Sequence, residues 1–325
     1  MRVLTSVVKR LVHTVITLFL VLTGMWCLFR LVPGDPLVIF LGQGELGAVE
    51  LARIRADWGL DQPLTTQYVS YLRNFLSGNL GTSFVFRQPV SEVLLAPLLN
   101  SLLLMFPAIV ISIALGVMTG SHLGWRRGRL FERWGNVFVL IPRTLPVFWL
   151  GIIVLVVFSY GLNWFPIGGM RTPAFIPETW WQELPGFDVA HHLVLPVAVA
   201  VLHLVSDPLM IMRTSMIEVI NEDYITFAHA RGLTDSTVRR IARRNALMPV
   251  VTYSAVMIGF AFGGQVLLEV VFAWPGIGRL MVDSVIQRDY PVAQAAFFLM
   301  ASAIILLNFV VDFAYLLLDP RVKLD

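Results

Sequence analysis

Leu99–Leu123 reads LNSLLLMFPAIVISIALGVMTGSHL, 25 residues without a single Asp, Glu, Lys or Arg. A helix rising 1.5 Å per residue needs about 20 mostly apolar residues to cross a hydrocarbon layer of about 30 Å. The stretch therefore predicts a membrane-crossing helix. Five more segments qualify: Leu11–Leu31, Gly135–Tyr160, Leu193–Met212, Pro249–Phe272 and Val292–Leu318. The expected fold class is an all-α polytopic membrane protein with six transmembrane helices. Lys9 and Arg10 precede the first segment as they would in a signal peptide. Its apolar run is too long for one, and Pro33-Gly34-Asp35-Pro36 follows in place of a small-residue cleavage site, so it reads as an uncleaved helix.

Composition agrees. The chain is 57% hydrophobic and 14% charged with mean hydropathy +0.76, against about 45–50% and about 25% in a soluble domain. A net charge of +3 and a pI near 9.2 do not point to nucleic acid, because the basic residues are scattered between apolar runs and act as topology signals. With the N-terminus inside, the cytoplasmic segments hold 15 Lys/Arg and the outer ones 7. That asymmetry predicts both termini in the cytoplasm. Cys27 is the only cysteine, so neither a disulfide framework nor a cysteine metal site is expected. The two lysines, Lys9 and Lys323, lie in no GK[ST] context, so ATP hydrolysis would belong to a partner. No HExxH spacing occurs among the six histidines, which excludes that class of membrane protease.

The chain divides into an N-terminus with the first span, residues 1–31, an outer cap, 32–98, and a transmembrane core, 99–325, that includes the loop 218–248. The cap intersperses Trp58, Tyr68, Tyr71, Leu72 and Phe75 among polar residues, as expected for a small folded layer. Pro142, Arg143 and Pro146 should kink or break the third span, since proline removes a backbone donor. Gly116-x-x-x-Gly120 and Gly259-x-x-x-Gly263 would permit close helix contact.

Between the fourth and fifth spans lies Glu218–Met248, EVINEDYITFAHARGLTDSTVRRIARRNALM. It reads as helix, turn, helix: Gly232 suits the left-handed closing residue, and Thr234 or Asp235 can cap the next helix. In the second helix Val238, Ile241, Ala242 and Asn245 share one face, while Arg239, Arg240, Arg243 and Arg244 fan around the other. An exposed apolar stripe on such a pair needs something to dock into. A basic interfacial helix on anionic lipid is the bland alternative.

This loop, with Asp223-Tyr224, Ala228, Ala230, Gly232-Leu233, Asn245-Ala246-Leu247 and Pro249, resembles the "EAA" coupling loop of B-type permease subunits of dipeptide, oligopeptide and nickel ABC importers. The likeness extends along nearly the whole chain through Pro33-Gly34-Asp35-Pro36, Gly59-Leu60-Asp61-Gln62-Pro63-Leu64, Gln67-Tyr68, Leu80-Gly81-Thr82-Ser83, Pro89-Val90, Trp274-Pro275-Gly276-Ile277-Gly278, Asp289-Tyr290-Pro291 and Asp319-Pro320-Arg321. From Gly232 to Pro249 the loop is longer than the general importer pattern by about one helical turn, as in the peptide branch. Thr226 stands where the motif's Glu would be.

The resemblance implies a translocation subunit, not an enzyme, in the bacterial inner membrane. It implies as partners a paralogous permease, two ABC ATPase subunits carrying ATP and Mg, and an extracytoplasmic substrate-binding protein, with no cofactor on this chain and no nucleic acid. Asp223, Tyr224, Ala228, Ala230, Arg231, Gly232 and Leu233 would couple to the ATPase. Trp274, Pro275, Gly276 and Gly278 would form the outer lip of the pathway, near where the binding protein docks. The cargo implied is a short peptide, the alternative nickel or a metal chelate.

Charged groups within spans cost about 2.5–3.5 kcal/mol on insertion scales, which makes each a candidate for the pathway or for a buried pair. His203 and Asp207 are one helical turn apart and able to hydrogen-bond each other; they are pathway candidates or a structural pair, and thin support for a metal cargo. Arg143 can face the cavity or snorkel to the cytoplasmic interface. Glu269, Asn308 and Asp312 read as packing or gating groups, and His13 and His122 as interfacial. An ion-coupled secondary transporter is the alternative of another class, but it predicts an inverted repeat that the sequence does not display.

Overall fold

The computed structural model describes residues 2–31, 61–173, 186–263 and 265–318. Helix α1 is Arg2–Leu31 and α2, in the cap, is Leu64–Leu76. Val90–Trp125 is α3, Leu130–Thr144 α4, and Val147–Val154 α5, prolonged by a π-helical turn over Leu155–Gly161. Phe187–Leu204 and Ser206–Ile220 are α6 and α7. Asp223–Ala230 and Asp235–Ala246, α8 and α9, make a short hairpin. The chain then forms α10 (Met248–Gly263), α11 (Val266–Val271), α12 (Ile277–Ile286) and α13 (Tyr290–Leu318).

Four stretches are single helical runs long and apolar enough to span a bilayer: Val7–Arg30, Val90–Trp125, Phe187–Ile220 and Tyr290–Val310. The third expected span is a broken pair, α4 and α5, bent by 99°. Pro146 explains the break: the residue before a proline is driven out of the helical region, and Leu145 is extended at φ −86°, ψ 141°. The fifth expected span, Pro249–Phe272, is not one helix either. Helix α10 has 16 residues, about 24 Å at 1.5 Å each and short of the hydrocarbon layer of about 30 Å. The sequence there runs Gly263-Gly264, the residue type that lowers helix propensity most after proline. Six uninterrupted spans are therefore replaced, among the described residues, by four plus two interrupted segments.

The expected cap-to-core boundary at residue 98 falls inside α3, which begins at Val90 behind Pro89. Proline at a helix start forfeits no bond, because that N–H has no partner in any case. Between α6 and α7 the chain hesitates at Val205, since Pro208 cannot donate to the Leu204 carbonyl.

Two ends and a middle organise the packing. In the middle, Leu104, Met105 and Ala108 of α3 meet Val199 and Leu204 of α6, Leu150 of α5, Met257 of α10 and Leu268 of α11. At one end Val90 and Leu94 of α3 pack on Ile277 and Met281 of α12 and on Val292 and Ala296 of α13. The end of α1 joins them, with the Phe29 ring 5.7 Å from that of Tyr290. At the other end, Met212 and Met216 of α7 form the floor beneath the α8–α9 hairpin.

A seam of small residues holds α3 to α7. A Cβ at Gly116 would lie 2.8 Å from Pro208 Cγ, one at Gly124 2.8 Å from Met216 Cβ, and one at Gly120 would strike the Leu209 carbonyl oxygen. The first expected glycine pair is thus a true close contact, extended by Gly124. Of the second pair, Gly259 makes no close contact, since a Cβ there would meet Leu307 Cβ at an ordinary 3.8 Å.

The described part of the cap is pinned to the core by one carboxylate. Asp289, buried, accepts hydrogen bonds from Ser83 Oγ, from Phe84 N at 3.1 Å and from Val85 N at 3.2 Å. Helix α2 leans on the spans through Thr23–Tyr68, 2.8 Å between hydroxyls, and through the Phe75 and Phe298 rings, 4.6 Å apart edge to face. Pro33-Gly34-Asp35-Pro36, Trp58 and Asp319-Pro320-Arg321 lie outside the described residues.

Candidate functional site

The hairpin forms as its sequence suggests, with one inversion. Gly232 sits at φ +77°, the left-handed conformation that ends α8, and the Leu233 N–H reaches back 3.3 Å to the Ala228 carbonyl. Thr234 stands at the cap position of α9, although its hydroxyl contacts Ser236 and Thr237 side chains at 3.1 and 2.9 Å instead of a backbone amide. The apolar stripe of α9 is not exposed. Val238, Ala242 and Ala246 are buried against Met212, Met216 and Val250 of the same chain. Asn245, expected on that stripe, points out and bonds the Ile241 carbonyl at 3.0 Å; Ala246 takes its place inside. The stripe is the hairpin's own seat, which leaves the arginines of α9 facing outward.

What the hairpin presents comes from α8. Ile225 and Ala228 turn inward, so Ala228 has no outward surface to offer a partner. Tyr224 (41% exposed), Phe227 (62%) and Leu233 (42%) face out, together with Asp223, Ala230 and Arg231. The Arg231 guanidinium lies 5.6 Å from the Phe227 ring centre, a cation–π contact that steadies an otherwise bare aromatic. Burial and the neighbouring Glu222 carboxylate push the Tyr224 phenol above its ordinary pKa, so it stays a neutral donor. Phe227 escaped the sequence reading, although an aromatic between Thr226 and Ala228 in a short polar loop is a visible signal. Trp125, ending α3, donates its Nε1–H to Asp235 Oδ2 at 3.3 Å and ties the hairpin laterally.

The hairpin is covalently continuous with α7 on one side and with α10 on the other. Because α7 is locked to α3 along the glycine seam, displacement of the hairpin has a stiff route into three helices. Next to the seam, Arg213 Nε donates to Glu132 Oε1 at 2.9 Å, and Glu132 also accepts from the Gly128 amide at 2.6 Å, fastening the start of α4 to α7.

The polar residues predicted within the spans do assemble, but not as the expected pair. Asp207 does not bond His203. Its Oδ2 receives Arg143 Nη1 at 2.8 Å and the Tyr253 hydroxyl at 2.7 Å. His203 lies one turn back with Nδ1 buried and unbonded. Three helices meet at this carboxylate: α4 at its bend, α7 at its first turn and α10. Arg143 therefore neither snorkels alone nor hangs free, and the His203–Asp207 pair that a metal cargo would lean on does not form. Tyr253 was missed, a hydroxyl inside an apolar run.

Trp274, Gly276 and Gly278 are buried, leaving Pro275 as the exposed member of the predicted lip. Their surroundings explain the motif. Glu269, with 0% of its surface exposed, accepts from Ser101 Oγ at 2.6 Å and from the Arg279 amide at 3.0 Å. Ser101 Oγ accepts in turn from the Ile277 amide at 2.8 Å. Trp274 Nε1 donates to the Asn100 carbonyl at 2.9 Å, and Asn100 Nδ2 returns a bond to the Pro275 carbonyl at 3.0 Å. A Cβ on Gly276 would overlap the Glu269 carboxyl and lie 2.5 Å from Ser101 Oγ, and one on Gly278 would lie 2.9 Å from Val266 Cα. The stretch is an internal knot joining α11 and α12 to α3. Asn308 is exposed on α13.

Residues 112–324 match the family described as the binding-protein-dependent transport system inner membrane component, and residues 3–102 match its N-terminal membrane component. Among curated proteins, the di/tripeptide transport system permease protein DppB of Pseudomonas aeruginosa is 34% identical, covering 98% of this chain and 99% of its own. The glutathione transport system permease protein GsiC of Salmonella typhimurium is 35% identical over the same shares. The oligopeptide transport system permease protein AppB of Bacillus subtilis is 35% identical over 91% of this chain and 92% of its own length. Proteins of this kind translocate without catalysing a reaction, in company with a substrate-binding protein and an ATPase. With its apolar helices, its hairpin and these matches along both parts of its length, the chain belongs to the family of binding-protein-dependent transport system inner membrane components, multi-pass permease subunits of ABC importers.

Proposed function

We propose that this chain, paired with a paralogous permease, forms the translocation pathway of an importer for short peptides, driven by two ATPase subunits that carry the ATP and Mg. The face formed by Tyr224 and Phe227 of α8 and by Leu233 of the turn after it is the knob that enters a groove of the ATPase. The observation that carries this reading is the contrast between that bare apolar face and the rigid floor of Met212 and Met216 beneath it. A knob on a firm seat transmits force; a loose amphipathic helix on lipid would need no such floor. The basic-residue asymmetry supports placing the hairpin and both termini in the cytoplasm. Membership of a binding-protein-dependent family argues against the ion-coupled alternative.

Transport proceeds by alternating access. Closure of the ATPases moves the hairpins, α7 carries α3 with it, and the Arg143–Asp207–Tyr253 cluster, where the bent third segment meets α7 and α10, opens or closes the route. Partly exposed in this chain at 42% for Arg143 and 25% for Asp207, the pair is placed to meet the charged ends of a peptide. The peptide cargo follows the names carried by the relatives.

The test uses the complete importer in proteoliposomes with ATP inside. Phe227→Glu should lower dipeptide uptake at least tenfold, while the permease pair still assembles, since burying a charge in a groove built for an aromatic anchor costs more than the 1.4 kcal/mol that corresponds to about tenfold. Uptake at the unaltered rate would refute the knob assignment.

A further inference from the structure

A cavity of about 420 Å³ lies at the end of the molecule opposite the hairpin, between the last turns of α1, the cap helix α2 and the start of α13. That is large enough for an organic ligand and far larger than one water needs. Its walls include Trp26, Phe29, Arg30, Tyr71, Phe75 and Tyr290. No aspartate or glutamate lines it among the described residues. Arg30 contributes a full positive charge whose recorded contact is a cation–π approach, 5.9 Å from the Trp26 ring.

Three wall residues carry polar atoms shut off from solvent and hydrogen-bonded to nothing among the described residues, Trp26 Nε1, Tyr71 Oη and Tyr290 Oη, and the wall residue Gln67 adds a buried amide oxygen that can only accept. A buried donor left unbonded costs about 1–3 kcal/mol. Indole N–H and guanidinium donate and never accept. Burial and the nearby Tyr68 raise the Tyr71 pKa, so its phenol also keeps a proton to give. The set is positive and, Gln67 Oε1 aside, donor-rich, and it is flanked by aromatic surface from Phe29 and Phe75.

We propose that this cavity is a binding site for an oxyanion, phosphate or carboxylate, carried on a small amphipathic molecule. The anion sits against Arg30, with Trp26, Tyr71 and Tyr290 turning their donors toward it, and the apolar part lies along Phe29 and Phe75. The site is separate from the Arg143–Asp207–Tyr253 cluster and does not depend on the cargo.

The complete importer, held in phosphatidylcholine nanodiscs, tests this with three probes read by native mass spectrometry: short-chain phosphatidylglycerol, glycerol phosphate and dialanine. At least one probe should bind at least tenfold more tightly than short-chain phosphatidylcholine, with Arg30→Gln abolishing that preference and Tyr71→Phe weakening binding three- to tenfold. Preference for phosphatidylglycerol alone identifies a lipid headgroup as the natural source; binding of glycerol phosphate or dialanine identifies a soluble one. Neither substitution should disturb folding, as Arg30 is exposed and Tyr71→Phe removes one hydroxyl. Equal binding of neutral and anionic probes, or an anionic preference that survives Arg30→Gln, overturns the proposal.

Discussion

The knot around Glu269 and the hairpin around Gly232 use the same residue type for opposite reasons. At Gly276 glycine is required by space, since any side chain would enter the Glu269 carboxyl. At Gly232 a Cβ would meet nothing within 4 Å, and glycine is required by the left-handed backbone at φ +77°. The knot is polar, buried and cross-braced by hydrogen bonds that join α3, α11 and α12. The hairpin is apolar underneath, seated by Val238, Ala242 and Ala246, and open on its outer face, where Tyr224, Phe227 and Leu233 stand beside charged residues. The first arrangement resists any change of shape. The second leaves a surface for a partner.

Substitutions graded by expected effect sharpen this contrast. Glu269→Ala should be the most damaging, since it leaves the Ser101 hydroxyl and the Arg279 amide buried without an acceptor and opens a cavity, at about 4 kcal/mol. The thermal midpoint of the purified importer should fall and its yield collapse; a midpoint equal to the unaltered protein would show that the knot is not braced by this carboxylate. Gly276→Ala comes next at about 3 kcal/mol, from overpacking against atoms that have no room to retreat. Retention of full thermal stability there would refute the spatial requirement.

At the hairpin the effects shrink and change character. Val238→Ala removes buried methyl groups worth about 2 kcal/mol with the cavity they leave. Protease cleavage between α8 and α9 should quicken while the spans stay folded; unaltered cleavage kinetics would mean that the seat on Met212 and Met216 is not what holds the hairpin. Gly232→Ala should cost least, about 1 kcal/mol, the strain of an L-residue in the left-handed region. It should lower uptake per ATP hydrolysed with little effect on the thermal midpoint. A fall in stability as large as that for Gly276→Ala would erase the distinction between the two glycines.

How much of this was legible beforehand depends on the range of the interaction. The Pro142–Pro146 break and the Gly232 turn were readable, because proline and glycine act on their own backbone. So was the Gly116–Gly120 contact, although Gly259, which opens an identical spacing, makes no close approach, and nothing local separates the two. The internal contacts of the expected lip were not readable: Trp274 and Gly278 face inward toward partners about 170 and 10 residues distant, Asn100 and Glu269. The apolar stripe of α9 was drawn correctly at Val238, Ile241 and Ala242 but not at Asn245, and it was wrongly left unsatisfied, since its partner is the facing side of α7. Asp289 and Ser83 both stand in motifs that the sequence displays, but at 206 residues apart nothing local paired them.

Sequence alone determined that the chain lives in lipid, where its helices break, and to which family it belongs, because hydropathy, proline and glycine geometry and an ordered string of short motifs are local properties. Tertiary structure decided which polar group meets which. Asp207 takes Arg143 and Tyr253 over His203, since a carboxylate in a low-dielectric interior goes to the charged and donating groups that packing brings within reach, whatever their distance along the chain. It also decided which face of the hairpin is left over for a partner, because that is whatever remains after the chain has buried its own apolar stripe.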